Sequence, residues 1–438
     1  MDAKSTRFTV LELLNKMNNG AYSNLVLDSM LKTTAFSERD KSFISRLFYG
    51  ILERKITLEY IISLYSNKPL NKLDDIVVNI LKIGLYQLKY MDSVPDNAAV
   101  NETVNLTKQA KKTSAAGLVN AILRSFIRDQ KNISYPKDKI KRLSIEYSCN
   151  FEIVKKISSE YSFELAENLL SASVEPHKTF IRVNTLKTTA GDLINNLLEY
   201  GIEAEETPIL VNCLTLNRIN NLENCSLFSD GYFHIQDLSS QLCCSVLNPQ
   251  PKDIVLDLCA APGGKTFTIA ELMNNQGHII AADLHEKRVN LIRNSAEFLG
   301  INIIEALQND AKKYNEKFPL ADKILCDVPC SGLGVIRSKP ELKYIDLNSI
   351  NKLPEIQYEI LSTSARYLKT GGELVYSTCT INRAENDDVI DRFLNEHKNY
   401  EPVDIMSNYN DFDGYKATIF PKHFCCEGFF ISKIRKVD

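Results

Sequence analysis

The chain lacks most of the features that announce a function early. No uninterrupted apolar run approaches the roughly 20 residues of a membrane span, so no membrane association is expected. The start of the sequence shows no signal-peptide pattern, because Asp2, Lys4, Arg7 and Glu12 interrupt any apolar core. Eleven cysteines, an odd number, include no C-x-x-C pair and no regular spacing. That argues against zinc ribbons and disulfide frameworks, and for a reducing cytoplasm with no bound metal. Internal repeats and low-complexity segments are also missing.

What is present is ordinary in bulk and uneven in detail. A hydrophobic share of 44% and a charged share of 24% suit a soluble globular protein. A length of 438 residues suggests about two to three domains. The net charge of −3 conceals an asymmetry: residues 1–142 hold 23 Lys and Arg against 14 Asp and Glu, and the remainder is correspondingly acidic. A basic front part suggests contact with a polyanion, although uneven surface charge alone would look the same.

The stretch Ile254 to Thr266 organises the rest. An apolar run ends at Asp257, breaks into Cys259-Ala260-Ala261-Pro262-Gly263-Gly264-Lys265, and continues as an amphipathic run from Phe267 to Met273. Strand, tight loop and helix in that order open an α/β ligand-binding domain. A P-loop would need glycine where Cys259 stands, and a dinucleotide loop would need G-x-G-x-x-G. S-adenosylmethionine fits better. It has no phosphate to cradle, and its ribose wants a carboxylate at the end of the next strand, where Asp283 stands.

Taken in order, residues 1–130 read as all helix, with Leu11, Leu13, Leu14 and Met17 on one face and Ile76 to Leu88 strongly apolar. Lys-rich residues 131–142 read as a linker. Residues 143–235 read as a helical stretch from Leu143 to Leu170 followed by a small α+β module. There Arg182 and Asn184 could meet a phosphate or base, but composition favours solvated strand ends. Residues 236–438 predict a doubly wound parallel sheet, with strands ending at Leu258, Asp283, Leu307, Asp327 and Cys379 and a closing hairpin, Ala417–Phe420 with Gly428–Ile434. Ligands of such sheets bind at the carboxyl ends of the strands. Asp257, Lys265, Asp283, Asp310, Asp327, Cys330 and Cys379 all fall there, which favours a site. Cys243, Cys244 and Cys326 read as inert core, whereas Cys330 and Cys379 sit where strands give way to loops and a reactive thiolate is plausible.

Three motifs then carry a resemblance over nearly the whole chain: Cys259–Lys265, Asp327-Val328-Pro329-Cys330-Ser331-Gly332 and Ser377-Thr378-Cys379-Thr380. The sequence resembles RNA cytosine-5 methyltransferases of the Nop/Sun family, and is most similar to the bacterial Sun/Fmu (RsmB) type that methylates 16S ribosomal RNA. The front part resembles NusB-like RNA-binding domains through Arg39-Asp40-Lys41 and Val119 to Arg124. The resemblance implies a class I S-adenosylmethionine methyltransferase (Rossmann-like) α/β domain behind a NusB-like helical domain and a small α+β RNA-binding module. It implies a monomer, with ribosomal RNA as partner and S-adenosylmethionine as methyl donor.

It also implies roles. Cys379 would be the nucleophile adding to C6 of cytosine, and Cys330 would assist product release. Asp327 would contact the cytosine edge and the amino-acid end of the cofactor, and Lys265 would help place both. Asp283 would hold the ribose hydroxyls, Asp310 the adenine amino group, and Cys259, Ala260, Ala261, Pro262, Gly263, Gly264 and Lys265 the methionine portion. Two positions depart from the pattern: Val328 stands where Ala is commonest, and Tyr344 follows Lys343 where Trp is common.

Overall fold

The computed structural model describes all residues except 1–4, 18–22, 34–35, 176–177, 218–221, 223–224 and 406–413. The chain divides into two compact units, Met1–Val174 with Lys339–Ile345, and Glu175–Ser338 with Asp346–Asp438. Among the described residues, no helix is long and apolar enough to cross a membrane.

Among the described residues the regular structure of the first unit is all helical, and its centre is the helix Asp75–Tyr90. Asp74 caps it by accepting from the Ile76 N–H at 3.0 Å. Every residue from Val77 to Leu88 is buried, so the helix is enclosed on all sides rather than on one stripe. Its neighbours include Thr6–Met17, Glu38–Glu53, Lys55–Tyr65, Asp96–Gln109 and Ala116–Arg128. The expected single run from Leu143 to Leu170 is instead broken into the helices Lys139–Glu146, Phe151–Glu160 and Phe163–Ala172. Asn150 and Ser162 cap the second and third of them through their side chains, so each break is a local restart. The segment Lys339–Ile345 belongs to this unit. Buried Lys343 donates to the carbonyls of Tyr147 at 3.1 Å and Glu53 at 3.3 Å, and burial lowers its pKa to about 8. The Tyr344 hydroxyl donates to the Leu52 carbonyl at 2.6 Å, which makes this ring an internal anchor.

The second unit contains two sheets. The smaller has strands β1 (Thr179–Val183), β2 (Ala204–Glu206), β3 (Cys213–Leu216) and β4 (Phe233–Ile235), paired antiparallel in the order β2-β3-β1-β4. The helix Ala190–Glu199 buries Leu193 and Leu197 in the same cluster as Ile181, Val183 and Phe233. Arg182 and Asn184 are not solvated strand ends. Arg182 is 3% exposed and pairs with Glu271 at 2.9 Å; Asn184 is fully buried and donates to the carbonyls of Gly231 and Leu299. Composition misjudged them because their partners lie far away in sequence.

The larger sheet comprises β5 (Ile254–Asp257), β6 (His278–Asp283), β7 (Ile304–Gln308), β8 (Ala321–Asp327), β9 (Leu368–Thr378), β10 (Tyr400–Pro402), β11 (Lys416–Ile419) and β12 (Phe429–Lys436). Its order is β10-β12-β9-β8-β5-β6-β7, with β11 on β12. Strands β5 to β9 are parallel, as expected. The terminal hairpin runs antiparallel to β9, so the sheet is mixed rather than wholly parallel. Helices Gly264–Leu272, Glu286–Leu299 and Leu353–Ala365 provide the crossovers. Strand order reverses at β5, which lies between β6 and β8. At such a switch point the two crossovers diverge and leave a crevice at the carboxyl edge.

Candidate active site

On one side of the crevice the loop after β5 is drawn tightly over the sheet edge. The Ala260 N–H donates to the Ala282 carbonyl of β6 at 2.9 Å. Gly263 has φ +112°, and a Cβ there would lie 2.3 Å from the Phe267 ring, so glycine is required twice over. The helix Gly264–Leu272 starts on Gly263 with no side-chain cap, which leaves N–H groups available to a ligand. Asp257, 1% exposed, accepts from the Thr266 hydroxyl at 2.6 Å through one oxygen, while the other, buried, has no protein partner. Burial pushes its pKa up to about 7.

The next strand ends in an acid as well, and the one after it is followed two residues on by another. Asp283 accepts from the His285 N–H and lies 3.0 Å from the Arg288 guanidinium. Arg288 also donates to the Ala261 carbonyl at 2.5 Å, and so ties the Asp283 carboxylate to the loop. The Asp310 carboxylate accepts from the Lys312 N–H and lies 3.5 Å from the Lys313 ammonium. Cys259 is partly exposed, and desolvation raises its thiol well above the ordinary value. Ala260, Ala261, Pro262, Gly263 and Gly264 contribute backbone and little else.

Across the crevice lie the lysine and both cysteines. The Lys265 ammonium reaches Asp327 at the end of β8 at 2.7 Å and sits 5.1 Å from the centre of the Phe429 ring. Burial works against that ammonium, yet the Asp327 carboxylate outweighs it, and the pKa stands above the usual lysine value. The other Asp327 oxygen accepts from the Ser377 hydroxyl at 2.8 Å. Asp327 and Ser377 are register partners on β8 and β9, so sheet pairing itself brings them together.

The Cys330 and Cys379 sulfurs lie 3.2 Å apart, and both residues are partly exposed. Their hydrogen bond, then burial, raise the Cys330 thiol well above its ordinary value. Gly334 donates to the Cys379 carbonyl at 3.0 Å, and a Cβ on it would lie 2.1 Å from the Gly428 carbonyl oxygen. By contrast Cys243, Cys244 and Cys326 are buried, and burial raises their thiols, as expected of core residues.

Beneath the loop helix lies a buried charge cluster. Glu271, 1% exposed, pairs with Arg182 of β1, and burial lifts its pKa to about 7 despite that partner. His234 of β4, 3.8 Å from Glu271, is lowered to about 4 by burial and by the Arg182 charge, which leaves a neutral imidazole. The cluster fixes the small sheet against the helix that carries Lys265.

Sequence reasoning missed Arg288, Ser377, Glu385 and Asn386. Ser377 could have been found, because it lies in the Cys379 motif on the register expected for β9. Arg288 lies in the helix Glu286–Leu299 and looks like surface charge in the sequence. Among the described residues, no cluster of three or more His, Cys, Asp or Glu could hold a metal.

Chemically, the crevice offers a thiol pair for covalent attack and release, and a lysine–carboxylate pair for moving protons. Opposite them stands a carboxylate-lined loop with backbone donors. A family model described as 16S rRNA methyltransferase RsmB/F matches residues 244–435. The NusB family matches residues 4–128, and an RsmF/B-like ferredoxin-like domain matches residues 153–223. The chain is 39% identical to a probable ribosomal RNA small subunit methyltransferase B of Bacillus subtilis (strain 168), over 100% of both chains. It is 32% identical to the ribosomal RNA small subunit methyltransferase B of Proteus mirabilis (strain HI4320), over 91% of each. The crystal structure of NSun6 from Pyrococcus horikoshii with SFG superposes with a TM-score of 0.60 at 25% identity, covering 66% of this chain and 98% of that one.

Proposed function

The chain belongs to the RsmB/F family of rRNA methyltransferases, and on that footing we propose that it methylates carbon 5 of a cytosine in small-subunit (16S) ribosomal RNA. The observation that carries the reading is the Cys330–Cys379 sulfur pair beside the Lys265–Asp327 ion pair at the switch point of the sheet. A methyltransferase acting on a hydroxyl or an amine has no use for two adjoining thiols. An enzyme that must activate the carbon of an aromatic ring has.

The methyl donor of the proposal is S-adenosylmethionine, which supplies an electrophilic methyl group when bound. The residues present fit it. Asp257 keeps a buried oxygen without a protein partner, and the helix after Gly263 starts without a side-chain cap. The loop Cys259–Lys265 would hold the methionine portion, Asp283 the ribose hydroxyls and Asp310 the adenine amino group. Arg288 fixes Asp283 for that purpose.

Carbon 5 of cytosine is too weak a nucleophile to take the methyl group unaided. The Cys379 thiolate forms a bond to C6, and the electron pair of the C5–C6 double bond becomes available at C5. Asp327, held by Lys265 and Ser377, orients the cytosine edge by accepting from its amino group, and the Lys265 ammonium offsets the negative charge that shifts onto the ring. Once C5 carries the methyl group, its proton leaves to a base, the double bond re-forms and the Cys379–C6 bond breaks. Cys330, whose thiol is held in the protonated form, is the partner that aids that release. The target base must be splayed out of its stack to reach the crevice.

The test is transfer from radiolabelled S-adenosylmethionine to unmodified ribosomal RNA. Label on cytosine C5 with the wild-type protein, and none with Cys379→Ala, supports the proposal. Label on an exocyclic nitrogen rejects it.

A further inference from the structure

Two consecutive side chains, used by no step above, hold both cysteine loops. Glu385 and Asn386 follow β9 in sequence, at the end of the short helix Arg383–Glu385, and both are 0% exposed. One Glu385 oxygen accepts from the Ser331 N–H at 2.8 Å and from the Gln357 amide at 3.0 Å. The other accepts from the Ser331 hydroxyl at 2.5 Å and from the Asn382 amide at 2.8 Å. These donors fill the acceptor positions of one carboxylate, and two of them come from the residue directly after Cys330.

Asn386 acts in the same way on the other loop. Its amide oxygen accepts from the Thr378 hydroxyl at 2.6 Å, and its amide N–H donates to the Thr380 carbonyl at 2.9 Å. Thr378 and Thr380 flank Cys379 on either side. Two further contacts close the arrangement. The hydroxyls of Ser331 and Thr380 lie 2.8 Å apart, and the buried Tyr376 hydroxyl donates to the Glu385 carbonyl at 2.6 Å.

We infer that Glu385 and Asn386 are positioning residues that set the separation of the Cys330 and Cys379 sulfurs, Glu385 through the Cys330 loop and Asn386 through the Cys379 loop. The chemistry of the carboxylate fits the task. It is an acceptor at both oxygens, and it meets two donors from a single residue, a backbone N–H and a hydroxyl. That pair fixes both the place and the orientation of Ser331, hence the direction in which Cys330 leaves the chain. An apolar side chain of the same volume would fill the space without choosing that orientation. Glu385→Gln would set an NH2 group against N–H and O–H donors and leave at least one of them unpaired. The role in catalysis rests on the reading of Cys330 and Cys379 proposed above; the geometric claim does not.

The experiment therefore reads the sulfur pair directly, in the full-length protein. Diamide takes two hydrogens from neighbouring thiols: both S–H bonds break, an S–S bond forms, and the diazene is reduced to a hydrazine. Closure of Cys330 onto Cys379 is followed by peptide mass spectrometry, beside kcat and KM for methyl transfer. The wild-type pair is expected to close readily. Glu385→Gln is expected to slow closure and to lower kcat about a hundredfold, the scale set by a misplacement of about 1 Å, with KM for S-adenosylmethionine unchanged. Ser331→Ala, which removes one donor and keeps the backbone N–H, is expected to give a smaller loss of the same kind, and it serves if Glu385→Gln does not fold. A wild-type pair that fails to close, or a folded variant that closes at the wild-type rate with wild-type kcat, overturns the inference. If no cytosine is labelled by any protein while the variants still close slowly, the proposed reaction fails and the clamp stands.

Discussion

The two halves of the sheet's carboxyl edge are built on different terms. On the β5–β6–β7 side the acids are held unevenly: the His285 N–H and the Arg288 guanidinium fix Asp283, and the other two are held less completely. Asp257 keeps a buried oxygen without a protein partner, and Asp310 is engaged only by neighbours in its own turn. On the β8–β9 side both oxygens of Asp327 are engaged, as are both oxygens of Glu385. A buried polar group left unpaired is unfavourable unless something completes it, so under the proposed function the methyl donor completes the first half. The second half is finished before any ligand arrives. On the proposed reading one half binds the methyl donor and the other holds the reacting atoms still.

The comparison can be broken by mutations that should affect one half and spare the other. The largest effect is expected at the thiols. Cys379→Ser should reduce methyl transfer by about a thousandfold or more and leave S-adenosylmethionine binding intact, as measured by calorimetry beside label incorporation. Collapse of both would show that the halves are not separable. Cys330→Ala should let attack proceed and stall release, so that protein–RNA adducts accumulate on denaturing gels; a variant with no excess adduct denies Cys330 that role.

A smaller effect is expected on the binding side. Asp283→Asn removes a charged acceptor and should weaken S-adenosylmethionine about ten- to a hundredfold, while diamide closure of the Cys330–Cys379 pair keeps its wild-type rate. A change in closure rate would mean that the binding half also positions the sulfurs.

The smallest effect is on stability. Burial holds Asp257 at about 7 in the folded chain, against an ordinary value of 3.8. An acid raised in this way contributes stability that is fully present below its unfolded value and is lost as pH rises through about 7. Denaturation midpoints followed across that window should fall less steeply for Asp257→Asn than for the wild type. An unchanged slope would show that Asp257 is not the group responsible.

The division between the halves also explains what the sequence made legible. Strand ends at Asp283 and Asp327 and the closing hairpin follow from local alternation and turn chemistry, and they stand where expected. The binding half is therefore readable, since its groups are brought together by strand ends and one loop. The holding half is readable at Asp327, Cys330 and Cys379, but not in the side chains that fix them. Glu385 reads as one acid among several in a polar stretch, and it meets Ser331 across 54 residues of sequence. Arg182 and Asn184 look like solvated strand ends for the same reason: Glu271 lies 89 residues away and Leu299 lies 115 away. Periodicity reports which face is buried, but it does not report which donor a buried acceptor will meet.

The most direct measurement is a trapping experiment with RNA carrying 5-fluorocytosine at the target. Fluorine at C5 cannot leave as a proton does, so methyl transfer should freeze the adduct before the sulfur departs. After digestion, peptide mass spectrometry should find the methylated fluoropyrimidine bonded through C6 to Cys379. Attachment to Cys330 alone, or methylated fluorocytosine released with no protein adduct, would contradict the account.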